Sequence, residues 1–136
     1  MNKTKPQVLN EKQVRRFLAD AGKRAVAARK NLVIDSETAY QIAYEAMIKG
    51  SLALMLSHSR RPRKQLGHHI AIIEFAQKNV AGCKADMFLL FDRMRRKRND
   101  AFYDVALVSD TEAQQAVSTC EEYLQAVKLD IEKRLP

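Results

Sequence analysis

The sequence predicts an all-α protein, an up-and-down bundle of four to five helices. Only four Gly and three Pro punctuate 136 residues, and Ala, Leu, Lys, Arg, Glu and Gln are plentiful. That composition favours helix, because a sheet protein of this length needs more turn residues. Apolar residues recur at intervals of three and four along most of the chain, and polar capping residues stand just ahead of these runs.

Residues 1–9 read as a polar, frayed lead-in, leaving 10–136 as one helical domain. Asn10 caps a first helix, and Gln13 completes a capping-box pattern three residues on. Val14, Phe17, Leu18, Ala21 and Ala25 form its apolar stripe, and it ends near Asn31. LVIDS connects to the second helix, about 37–58, with Asp35 or Ser36 as its cap. This is the most apolar segment. Ala39, Ala43, Ala46, Gly50 and Ala53 make a seam of small residues where another helix can approach, and Tyr40, Tyr44, Met47 and Leu54 flank it. A helix apolar over this much of its circumference is buried or lies in a subunit interface. Tyr40, Tyr44 and Tyr123 are expected in the core.

SRRPRKQLG reads as a loop through Pro62 and Gly67. A short third helix runs from His68 to about Asn79, and a fourth begins near Lys84. VALVS interrupts that fourth helix. Ser109 and Glu112 form an S-x-x-E capping box for a last helix at about 110–134.

Cys83 and Cys120 lie far apart without a CxxC, which suits two small buried apolar residues in a reducing cytoplasm. Three histidines without a carboxylate cluster give no metal site, and no motif calls for a cofactor. MNKTKPQVLN has no apolar run, and no stretch approaches the length of a membrane span, so a soluble, cytoplasmic protein is expected.

Charge is uneven. From Ser109 onward six acidic residues face three basic ones, so the net +8 of the chain places +11 on residues 1–108. A basic body with an acidic last helix argues for a polyanionic partner. Arg60, Arg61, Arg63 and Lys64 form one basic group, and Arg93, Arg95, Arg96 and Lys97 a second. They are either solvated charge runs or one patch tracking a phosphate backbone, if the bundle brings loop and helix together.

The second basic group sits in MRRKRNDAFYD, Met94 to Asp104. On a helical wheel Met87, Leu90, Phe91, Met94, Ala101, Phe102 and Val105 share a stripe, and Arg98 falls in its middle. A guanidinium costs several kcal/mol to desolvate unless paired. Arg98 therefore either pairs with an internal carboxylate, such as Glu45, Glu74 or Asp104, or lines a cleft where a phosphate supplies the counter-charge. Asn99 and Tyr103 share a different face. His68 and His69 open the third helix, making ordinary hydrogen bonds there or reaching the Arg98 cleft; His68 is the candidate catalytic residue of the two. His58 is expected at the surface.

R-N-x-x-x-Y near the end of the penultimate helix resembles the signature of HEPN (higher eukaryotes and prokaryotes nucleotide-binding) domains. That signature is an Arg followed by four to six residues and a His, often with a polar residue directly after the Arg. Arg98 matches the Arg, Asn99 the polar neighbour, and Tyr103 stands where the His would be. The Ala- and Tyr-rich second helix and Gly67-His68 at the next helix extend the resemblance over roughly residues 10–130. It implies a homodimer with a shared cleft, an RNA substrate, metal-independent cleavage in active members, and an antitoxin or nucleotidyltransferase-type partner in toxin–antitoxin, phage-defence or RNA-processing systems. Arg98 would hold the phosphate, Asn99 orient it, and Tyr103 donate a hydrogen bond. Tyr titrates near 10 and is a poor base at neutral pH, so binding is expected more than cleavage, unless a histidine replaces the missing base. The alternative is a non-catalytic helical interaction module whose basic face meets an acidic protein or DNA.

Overall fold

The protein is described by a computed structural model covering residues 3–63, 68–103 and 108–136, with the side chains of 100–103 outside the description. Chain order is β1 (Thr4–Pro6), α1 (Glu11–Asn31), α2 (Ser36–Ser57), β2 (Arg60–Pro62), α3 (His68–Asn79), α4 (Ala85–Tyr103) and α5 (Asp110–Glu132). The all-α prediction holds, with one small addition.

Local chemistry sets the helix starts. Asn10 accepts a hydrogen bond from the Gln13 backbone N–H at 3.1 Å, and Asp35 accepts from that of Thr38 at 3.1 Å. Ser109 and Glu112 form the reciprocal box that opens α5.

Packing centres on α2, which touches each of the other four helices. Its small-residue seam is fully enclosed: Ala39, Ala43, Ala46 and Ala53 have no exposed surface. At Gly50 an added Cβ would lie 2.4 Å from Leu124 Cδ2, so this position sets how closely α5 approaches. Leu90, Phe91 and Met94 of the α4 stripe are buried. Phe91 stands edge-on to Tyr44 and to Tyr123, with ring centroids 5.9 and 5.4 Å apart. Tyr40, Tyr44 and Tyr123 are core residues, as expected. Cys120 is buried, while Cys83 is only half-buried.

Two expectations fail. The lead-in is not frayed throughout, because Thr4–Pro6 pairs antiparallel with Arg60–Pro62, and Lys3 Nζ reaches Glu74 at 3.0 Å. Ser59, at φ 59°, turns the chain from α2 into that ribbon. His58 is half-buried rather than superficial, its ring edge-on to Phe75 at 5.3 Å and its Nε2 enclosed without a partner among the described residues. The VALVS break falls largely outside the described residues. Among the described residues no helix is long and apolar enough to cross a membrane.

Candidate nucleic-acid interface at Arg98

Arg98 is exposed although it lies on the apolar stripe. Met94 of the α4 stripe is buried, and Arg98, one turn further on, is exposed. Arg98 is nevertheless not a free surface charge. Its guanidinium carbon lies 5.8 Å from the centre of the Tyr44 ring, within cation–π range.

Around this contact lies an open cleft of about 420 Å³. Arg24 of α1, Tyr44, Glu45, Ile48 and Lys49 of α2, His69 of α3 and Arg98 of α4 line it. The floor is Tyr44, buried in the core by its ring and bonded through its hydroxyl oxygen to His69 Nδ1 at 2.7 Å. Burial pushes the Tyr44 phenol well above its ordinary range, against the pull of Arg98 and Arg95, so it keeps its proton at neutral pH. Burial also lowers the pKa of His69, helped by the positive charge of Arg98, the neighbouring His68 and Arg95. His69 is therefore neutral at pH 7.

Two of the three carboxylates named as possible partners are used elsewhere. Glu45 takes Arg24 Nη1 at 3.0 Å, and Glu74 takes Lys3. Asp104 lies outside the described residues. Arg24 also binds Asp20 at 3.1 Å, and Lys49 lies 3.8 Å from the same carboxylate. The Asp20 carboxyl is accordingly held below its usual range, first by its hydrogen bond from Arg24. Among the described residues, Arg98 has no ion-pair partner. The cleft thus presents one uncommitted guanidinium beside a neutral imidazole.

The other expected site residues divide. Asn99 is exposed beside Arg98, and the Tyr103 side chain is outside the description. His68 is half-buried, and it is His69, with its ring centroid 5.7 Å away, that reaches the cleft. Arg95 and Arg96 share Asp92 at 2.9 and 3.3 Å, and Lys97 binds Glu112 at 2.6 Å. Arg93 is exposed. Arg60 is turned onto the Thr4 hydroxyl at 3.0 and 2.8 Å, Arg61 and Arg63 are exposed, and Lys64 is outside the description. Arg60 lies beyond the C-terminal end of α2, whereas Arg98 meets Tyr44 about four turns earlier, roughly 20 Å along the axis.

Arg24, Tyr44 and Lys49 were not singled out for this cleft by sequence, whereas His69 was one of the two histidines given as able to reach it. One signal was available. After its first turn α2 carries only two charges, Glu45 and Lys49, four residues apart on one face of an otherwise apolar helix. A larger groove of about 510 Å³ between α1 and α5 lies away from this cluster, lined by Leu18, Gly22, Val26 and Leu124 among others.

Among the described residues no group of His, Cys, Asp or Glu could hold a metal ion. The sequence matches no protein-family model and no curated protein.

Proposed function

We propose that the Arg98 cleft binds RNA phosphate, in a domain of HEPN-like type that works as a homodimer. One observation supports this above the others: Arg98 rests on the Tyr44 ring at the mouth of an open cleft, with no carboxylate partner among the described residues. A planar fork of donors, oriented by an aromatic face and lacking a counter-charge, suits a phosphate. The basic excess of residues 1–108 adds long-range attraction. Asn99 stands next in sequence and exposed, available to a second phosphate oxygen or a base edge. Exposed Leu89 on α4 gives the helix an apolar position for a two-fold contact.

The test is a binding titration of single-stranded RNA, with EDTA present, over a range of salt. Affinity falling steeply with salt is expected, at about −0.7 in the logarithmic slope per phosphate contacted. Arg98→Ala should weaken binding by about 10- to 100-fold, the worth of a charge-assisted hydrogen bond of roughly 1.5–3 kcal/mol. The fold should survive, because the side chain is exposed and Ala is a good helix former. Hydrolysis of the RNA that disappears in Arg98→Ala would make the domain a ribonuclease. Wild-type protein that binds no RNA refutes the proposal and leaves the basic face to an acidic protein or DNA.

A further inference from the structure

We infer that Tyr44, His69 and Arg98 form a clamp for one phosphate group, in which His69 serves as a neutral hydrogen-bond donor and Tyr44 is the residue that positions it. The inference rests on the phosphate-binding reading of the cleft and adds which atoms would make the contact.

The clamp depends on where one proton sits. The Tyr44 hydroxyl is enclosed, and a buried hydroxyl donates its proton to whatever acceptor it reaches. Among the described residues it reaches only His69 Nδ1, at 2.7 Å. Nδ1 is then the acceptor, and the neutral ring must carry its hydrogen on Nε2. Since His69 lines the cleft and Nδ1 is occupied, Nε2–H is the group left for a ligand.

The surroundings favour the uncharged form. His69 faces Arg98 and Arg95 of α4, Arg24 of α1, Lys49 and Glu45 of α2, and His68 beside it. Arg24 and Lys49 are held by Glu45 and Asp20, and Arg95 by Asp92, which leaves Arg98 as the cation without a carboxylate partner among the described residues. A second full charge at His69 is disfavoured until an anion arrives. The clamp therefore joins one fixed charge, Arg98, to one uncharged donor, both referred to the same phenol ring. A base that would take a proton from a ribose hydroxyl needs a bare Nε2, which this arrangement does not provide.

Four tests on the full chain bear on the clamp. Long-range proton–nitrogen correlation spectra should show His69 as the Nε2–H tautomer, with assignments from His58→Asn, His68→Asn and His69→Asn. Titration with inorganic phosphate should shift the His69 Nε2 and Arg98 Nε signals saturably. In a His68→Gln background, RNA affinity should change less than about threefold from about pH 6.5 to about pH 8, because no ionisation of His69 is required. A site that needed the imidazolium would lose roughly thirtyfold over that range, about tenfold per pH unit above its pKa. Tyr44→Phe keeps the ring under Arg98 but frees Nδ1. It should convert His69 to mixed tautomers and weaken RNA about three- to tenfold.

An Nδ1–H tautomer in the wild type overturns the inference. So does a steep loss of affinity with rising pH, or phosphate that leaves the His69 signals unmoved. If RNA is not bound while the tautomer and the phosphate response are as stated, the RNA reading fails and the clamp stands.

Discussion

The core beneath the cleft contains a hydrogen bond whose removal should reverse the sign of a second mutation. Ser51 Oγ donates to the Met47 carbonyl at 2.7 Å, which uses its only proton. The Tyr123 hydroxyl, 2.6 Å from Ser51 Oγ, must therefore be the donor of that pair. Tyr123 has no exposed surface, so no water can replace Ser51. Ser51→Ala orphans a buried donor at a cost of about 1–3 kcal/mol, offset by roughly 0.5 kcal/mol of helix propensity. Tyr123→Phe alone loses one net hydrogen bond, about 1 kcal/mol, since Ser51 keeps its own acceptor. Made in the Ser51→Ala background, the same Tyr123→Phe change removes the orphan and should stabilise by about 1 kcal/mol or more. Urea unfolding followed by far-UV circular dichroism measures all four proteins, with a midpoint shift of about 0.5 M per kcal/mol if the slope is unchanged. Equal destabilisation by Tyr123→Phe in both backgrounds would refute the donor assignment. Phe91 bridges Tyr123 and Tyr44, so the cycle also reports on the packing that carries the cleft floor.

Two further outcomes concern the scaffold. Gly50→Val should destabilise by about 2 kcal/mol or more, since even a Cβ meets Leu124 at 2.4 Å and valine adds two methyl groups; an unchanged urea midpoint would contradict the packing of α2 on α5. Stability should fall as pH is lowered. Asp20, Glu112 and Glu121, held by Arg24, Lys97 and Arg29, have folded pKa values below their unfolded ones. Their contribution is present above the unfolded carboxylate values of about 4 and is lost as pH falls from there through the lower folded values. His58 and His69, also depressed in the fold and chiefly by burial, remove stability earlier, below about pH 6.5, as the unfolded chain takes up protons first. A thermal midpoint that rises on acidification would contradict both.

Helices were legible because their start signals are local. Asn10, Asp35 and Ser109 each act within three residues, and the alanine seam of α2 declares its burial by composition. The β1–β2 ribbon was not legible. Three residues containing a proline carry no period, and their pairing spans more than fifty positions. The position of Arg98 shows the limit of a helical wheel. It assigns a face but not the burial of each position on it, so Arg98 sits on the apolar stripe and still reaches solvent. The cleft itself draws on α1, α2, α3 and α4, and no spacing along one segment could join Arg24, Tyr44, His69 and Arg98.

The β1–β2 ribbon has a bearing on how the chain matures during synthesis. α1 and α2 form an extensive local pair that can assemble as soon as both have left the ribosome. Thr4–Pro6 has no partner until Arg60–Pro62 has also emerged, and Lys3 then waits for Glu74. Residues 3–6 are thus made before α1 but fixed after it. Closing the ribbon ties the start of the chain to the segment just ahead of α3, the helix that carries His69. An N-terminal fusion that blocks β1 should therefore act on the cleft through the late docking of α3 and leave the early α1–α2 hairpin intact.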